Sequence, residues 1–347
     1  MKQHPVKSSS GPKIRIALLM SIGVALGAGV VLIGTNPSQN SRTDRTDISP
    51  PFLDPKDFPA LALRGVFGQD ASMESRAKID ALLDCLETVQ ADTLFVPTVY
   101  DGVAFYQSDL MPSRAFDSWV YLVPQAHARG IQVYAWIYAA YLGWQQQPAW
   151  NARLNHPGVP DDWLDFAVPE AREFVADVAY EVVSRYEADG VLLDYIRWRS
   201  WASNADLSAE DISLTVRGVY ARLNGAAPLA AAVFAGQQAS RERGQAWYTW
   251  LDGGYVDFVA PMAYVDDGEL YALLGQWTDT GYFPADIRPI LATAFFSASS
   301  EKPKTAEQVM GQIRLSRSFG ATAILLFDDL HLCDNTALVQ ALQNGEW

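Results

Sequence analysis

Asp189-Gly190-Val191-Leu192-Leu193-Asp194-Tyr195-Ile196-Arg197-Trp198 passes from a tight turn into a short apolar strand and out into a carboxylate, an aromatic and a guanidinium. Val191-Leu192-Leu193 has no polar alternation, so both faces of this strand are expected to be buried, as in a parallel sheet covered by helices. In a closed ring of such strands, active sites are built at the carboxyl ends, so the charge arriving at Asp194 and Arg197 reads as chemistry.

Working outward, the same grammar repeats. Apolar runs predict strands at Leu61–Gly68, Thr93–Tyr100, Gln132–Tyr138, Gly190–Ile196, Leu229–Ala235, Asp257–Tyr264, Arg288–Phe295 and Thr322–Phe327. Helical patterns separate them at Ser72–Gln90, Ser118–Arg129, Pro169–Glu187, Leu207–Leu223, Arg241–Leu251, Glu269–Trp277, Thr305–Phe319 and Thr336–Gln343. Gly130 suits a left-handed helix end, and Pro169 with Glu170 and Glu173 suits a helix start. Strand and helix in strict alternation specify an α/β fold of the (β/α)8 TIM barrel type, spanning 60–347. No Gly-x-Gly-x-x-Gly follows the first strand, which disfavours a doubly wound nucleotide-binding sheet.

Residues before the barrel divide into three. A basic tail (1–15) holds Lys2, Lys7, Lys13 and Arg15 and no acid. Ile16 to Gly34 is uncharged and apolar, long enough for a transmembrane helix of about 20 residues. Thr35–Pro59 is rich in Asn, Ser, Asp, Thr and Pro and reads as a flexible linker. Basic residues on the near side keep the tail in the cytoplasm and place the barrel outside it, periplasmic or extracellular. Cleavage as a signal peptide, releasing a secreted barrel, is the competing reading.

Net charge is −14, a surface that repels phosphate backbones, so no nucleic-acid partner is expected. Cys85 and Cys333 lie far apart with no C-x-x-C spacing; a single bridge between them is geometrically possible, but two free thiols are the favoured reading, Cys85 on the apolar stripe of a helix. The four histidines show no His-Glu-x-x-His or similar spacing, and there is no Gly-x-Ser-x-Gly elbow or phosphate loop, so neither metal nor cofactor is implied.

Polar residues that follow the strands are assigned to the catalytic rim. The second strand is followed by Asp101 and Tyr106, the third ends in Trp136 and Tyr138, and the fourth gives Asp194, Tyr195, Arg197 and Trp198. The sixth supplies Tyr264 and Asp266, and the eighth Asp328, Asp329 and His331. Glycoside hydrolysis needs two carboxyl groups, one acting as acid and one as nucleophile or base. Asp194 is taken as the principal carboxylate and Asp266 as its partner, with Asp328, Asp329 and Asp101 as rivals. Tyr195, Arg197, Tyr264, Trp136, Trp198, Tyr106, Asp101 and Asp328 form the expected substrate-binding set. Indole planes suit the flat C–H faces of sugars, and Trp144, Trp198 and Trp201 are the expected platform.

A further series of runs adds to this reading: Leu63-Arg64-Gly65-Val66-Phe67, Phe105-Tyr106-Gln107-Ser108, Ala126 through Trp136, Trp163 through Arg172, Asp189 through Trp198, and Val256 through Tyr264. In this order they resemble the glycosyl-hydrolase-like family 10 barrels, from Leu61 to the end of the chain. Asp189-Gly190-x-x-x-Asp194 is also similar to the α-amylase family, which would place the nucleophile at Asp194. The same run is similar to chitinase-type family 18, whose acid would fall at Ile196, a side chain that cannot donate a proton. Met262-x-Tyr264-x-Asp266 is similar to that family's Met-x-Tyr-Asp, displaced by one residue. These resemblances imply a barrel directed at glycosides, and the expected function is hydrolysis of a cell-envelope or extracellular polysaccharide. The alternative is a membrane-tethered carbohydrate-binding barrel without catalysis.

Overall fold

The computed structural model describes residues 53–345 except 101, 142–153, 155–161, 199–207 and 297–299, together with Trp347. The expected tail, the apolar segment 16–34 and most of the linker lie outside the described residues, as do Asp101, Trp144 and Trp201. Among the described residues no helix is long and apolar enough to cross a membrane.

Eight parallel strands close into a barrel in chain order: β1 Leu63–Phe67, β2 Thr93–Pro97, β3 Gln132–Tyr138, β4 Gly190–Asp194, β5 Leu229–Phe234, β6 Phe258–Ala263, β7 Ile290–Ala292 and β8 Ala323–Phe327. The ring shuts where Leu63 pairs with Ala323 and Val66 with Leu326. Val191, Leu192 and Leu193 are wholly buried, as the unbroken apolar run requires. Helices on the outside start where side chains accept the first free N–H groups: Ser75 from Lys78, Asp117 from Val120, and Thr305 in a reciprocal box with Gln308.

The interior is filled by aromatic side chains. Phe67 stacks on Phe95 at 4.8 Å between ring centroids, and Trp136 meets Phe67 edge-on at 5.1 Å and Phe327 at 6.0 Å. Tyr134, two positions earlier on the same face of β3, fills the lower barrel beside Phe95 at 5.0 Å. Gly190 opens β4 because of that ring: a Cβ there would fall inside Tyr134.

Two corrections to the expected elements have physical causes. The helix expected at Arg241–Leu251 is two short ones, Gln237–Glu242 and Trp247–Asp252, because Gly244 turns left-handed at φ +76°. The two cysteines are not free. Cys85, on the helix Arg76–Thr88, forms a disulfide with Cys333, on the helix Asp329–Cys333. Ring closure sets the helix after β1 beside the helix after β8, so residues 248 apart in sequence become neighbours.

The same seam is tied by a buried carboxyl. Asp329, 3% exposed, accepts the Gln69 N–H at 2.9 Å and the Ser72 hydroxyl, both from the segment after β1. Burial pushes its pKa up to about 7, with Asp328 beside it adding to the shift.

Three outcomes follow from this packing. Gly190→Ala should destabilise by about 1–3 kcal/mol through overpacking against Tyr134, measured by urea unfolding. Removing the disulfide with paired Cys85→Ser and Cys333→Ser changes should cost about 2–4 kcal/mol in the same assay. Asp329 gives the stability a sign with pH. Below about pH 4 folded and unfolded states both hold the proton; up to about pH 7 only the folded state does, so stability falls by up to about 1.4 kcal/mol per pH unit. Unfolding curves at pH 5 and 8 should show a smaller pH difference in Asp329→Asn than in the parent.

Candidate active site

Asp194 ends β4 opposite Tyr138, the last residue of β3, and is 4% exposed. Tyr195 then adopts a left-handed backbone, φ +51°, unusual for an aromatic residue. This turn folds the Tyr195 N–H back onto Asp194 Oδ1 at 2.6 Å. The second oxygen, Oδ2, accepts the Trp136 indole N–H at 3.1 Å. Burial raises the Asp194 pKa; the Tyr195 N–H, the Arg197 charge and the Trp136 indole pull the other way.

Arg197, 7% exposed, is wrapped by rings: its guanidinium carbon lies 4.7 Å from the centroid of Tyr195, 5.3 Å from Phe234 and 5.4 Å from Trp163. The loop that carries it is stitched by Gln245, a buried amide that the sequence reading passed over. Gln245 accepts the Phe234 N–H at 2.9 Å and donates to Ile196 O at 3.3 Å and Ala232 O at 3.2 Å. Trp198 N–H reaches Arg243 O at 3.0 Å, so the left-handed break at Gly244 presents both groups to the β4 loop.

Two aromatic walls rise from the strand ends. On the β3–β4 side Tyr138 lies against Tyr100 at 6.2 Å and Tyr195 at 5.4 Å, while Tyr141 stacks on Tyr195 at 5.0 Å. On the β6–β8 side Tyr264 stacks on Phe327 at 5.3 Å and meets Phe296 at 5.7 Å. The Tyr264 phenol is raised well above its ordinary pKa by burial and then by the charges of Asp194 and Asp328. Tyr138 and Tyr195 are raised for the same leading reason, so all three phenols stay protonated and able to donate.

Asp328 follows β8 and is 5% exposed. Its N–H donates to Thr293 Oγ1 at 2.8 Å, and its Oδ1 accepts the His331 N–H at 3.1 Å and contacts His331 Nδ1 at 2.8 Å. That contact raises the His331 pKa, favouring the imidazolium. His331 Nε2 lies 3.7 Å from Glu301 Oε2. Glu301 belongs to a two-stranded ribbon, Ala294–Phe296 with Glu301–Pro303, that follows β7.

Of the expected set, Asp194, Tyr195, Arg197, Tyr264 and Asp328 gather at the carboxyl ends of the strands. Trp136 is there too, but at 1% exposure it is a donor to Asp194 rather than a platform for sugar. Tyr106 does not reach the mouth: it is fully buried, and its hydroxyl donates to Glu181 Oε2 at 3.0 Å, bracing the β2 loop against the helix Pro169–Tyr186. Trp198 packs on Phe166 at 5.9 Å and donates to Ser208 O at 3.2 Å, a core contact. Asp266 is exposed and caps the helix Asp267–Thr278, accepting the Glu269 N–H at 2.9 Å. Tyr138 stands on the rim where the end of the third strand puts it, whereas Glu301 is not among the expected site residues. Among the described residues no three His, Cys, Asp or Glu side chains form a group that could hold a metal ion.

No protein-family model matches the chain. It is 24% identical to the glycosyl hydrolase DigH of Escherichia coli K12, an alignment that covers 65% of this chain and 67% of that protein. Among solved structures, the PgaB (BpsB) glycoside hydrolase domain from Bordetella bronchiseptica superposes with a TM-score of 0.63 at 15% identity, over 82% of this chain and 98% of that one. The spore cortex-lytic enzyme SleL of Bacillus cereus superposes with a TM-score of 0.57 at 9% identity, over 84% of this chain and 75% of that one.

Proposed function

We propose that the chain is a glycoside hydrolase that cleaves a cell-envelope or extracellular polysaccharide in the mouth of its barrel, as a member of the glycosyl-hydrolase-like family 10 group. The observation that carries this reading is the pair of buried carboxyl groups on one rim of the barrel, Asp194 ending β4 and Asp328 directly following β8. Similarity to the glycosyl hydrolase DigH supports the chemistry, and similarity in fold to a spore cortex-lytic enzyme agrees with an envelope glycan as substrate.

Asp194 faces the anomeric carbon, where positive charge develops as the glycosidic bond breaks. A dry site makes that charge pairing stronger than it would be in water. Asp328, buried beside His331, replaces Asp266 as the second carboxyl group of the mouth, because Asp266 is exposed at a helix start. Tyr264, Tyr195 and Tyr138 present phenol donors to sugar hydroxyls, and Arg197 orients the ring that lies over Asp194. The barrel is placed outside the cytoplasm, tethered by 16–34. A structural disulfide supports that placement, since such bonds persist in oxidising compartments.

One observation favours a non-catalytic, sugar-binding barrel: Ile196, where the chitinase-type acid would fall, is wholly buried and apolar. Release of reducing ends from soluble peptidoglycan strands and chitin oligosaccharides separates the two readings. The hydrolase reading expects turnover that drops at least about 100-fold in Asp194→Asn and in Asp328→Asn. It expects Asp266→Ala to act mainly through the helix cap, about 1 kcal/mol of stability. Binding of these glycans with no release of reducing ends overturns it, as does full activity in Asp194→Asn.

A further inference from the structure

We propose that Glu301 is the proton donor of the reaction, positioned beside His331; the inference rests on the hydrolase reading above. In the ribbon after β7, Glu301 stands directly opposite Phe296. Residues directly opposite in an antiparallel pair project from the same face. Phe296 packs on Tyr264, on Phe327 at 5.5 Å and on His331 at 6.0 Å, so that face looks into the mouth. Its neighbour Phe295 points the other way, 40% exposed with Lys304 Nζ 5.2 Å from its ring. Glu301 is therefore held over the β8 side of the opening by the ribbon register, with its carboxyl beside His331.

Asp328 is poorly placed to deliver a proton itself. Its Oδ1 is taken by two contacts from His331, and the residue is 5% exposed. The Glu301 side chain keeps 28% of its surface open to solvent, so substrate can reach it. Partial burial raises the Glu301 pKa, and Asp328 adds to this, while His331 opposes it. A carboxyl so shifted keeps its proton further toward neutral pH, as an acid catalyst requires. His331 stands between the two carboxyls, with Nδ1 2.8 Å from Asp328 Oδ1 and Nε2 at ion-pair range, 3.7 Å, from Glu301 Oε2.

The bond between the anomeric carbon and the glycosidic oxygen breaks, and its electron pair stays on the departing oxygen. That oxygen takes the Glu301 proton, while Asp194 faces the electron-poor carbon. Water then adds to the carbon and gives up one proton, which returns to Glu301. This arrangement puts the acid on the segment after β7, whereas the chitinase-like run would put it at Ile196.

The test compares Glu301→Gln with the parent on two probes: chitin oligosaccharides, whose departing sugar needs a proton, and 2,4-dinitrophenyl chitobioside, whose phenolate does not. The proposal expects turnover of the first to fall by about 100- to 10,000-fold while the second stays within about threefold. Equal losses on both probes would mark Glu301 as merely structural, and no loss on the oligosaccharides would remove it from the chemistry; either result overturns the proposal. If the parent protein itself cleaves neither probe nor soluble peptidoglycan, the hydrolase reading fails and takes this proposal with it. His331→Gln should lower oligosaccharide turnover with the same sparing of the dinitrophenyl probe, which a general loss of folding would not reproduce.

Discussion

An ionisable carboxyl kept almost dry at the end of β4 governs the rest of this molecule. Burying a carboxylate without partners is costly enough that the group would simply hold its proton. Here one oxygen receives a backbone N–H, the other an indole N–H, and a guanidinium stands near. Each donor needs its own support. The backbone donor exists because Tyr195 turns left-handed, the indole because β3 and β4 pair in register, and the guanidinium because Gln245 ties down its loop. Barrel, turn and loop are thus linked through the needs of a single side chain.

The two aromatic walls follow from the same economy of water. Rings exclude solvent around Asp194 without introducing competing charge, and their hydroxyls leave donors where a polyhydroxylated ligand would need them. Tyr264 is the pivot, because its phenol lies in the field of both Asp194 and Asp328. Arg197 shows how a cation is kept in such surroundings: it is faced by the π-clouds of Tyr195, Phe234 and Trp163.

Much of the architecture was legible because a parallel strand buried on both faces leaves an unbroken apolar run, and eight of these are hard to mistake for anything else. β3 has the predicted limits, Gln132–Tyr138, whereas β7 is only Ile290–Ala292 because the chain turns after Thr293 into the ribbon. Asp194 could be found since it directly ends an apolar run. Which aspartate would be the second buried carboxyl on the rim was not legible from spacing, because Asp266 and Asp328 look alike as aspartates after strands and both cap a helix; Asp266 is exposed and Asp328 is buried beside His331. Tryptophans misled for a related reason: indoles serve interior packing as readily as sugar contact, and Trp198 does the former. Glu301 left no signal, since Glu301-Lys302-Pro303 carries no strand pattern and its place depends on a cross-ribbon register. The cysteine pairing was within reach once a closed ring was inferred, because a ring makes its first and last helices neighbours.

That pairing gives the molecule an unusual covalent topology. The backbone from residue 85 to residue 333, with β2 through β8 inside it, is one large macrocycle from which β1 leads off as a tail. A protease that cuts one peptide bond anywhere along this circuit opens the ring but leaves a single connected molecule. Where secreted proteases are abundant, a nick on an outer loop need not cast off the strands that frame Asp194.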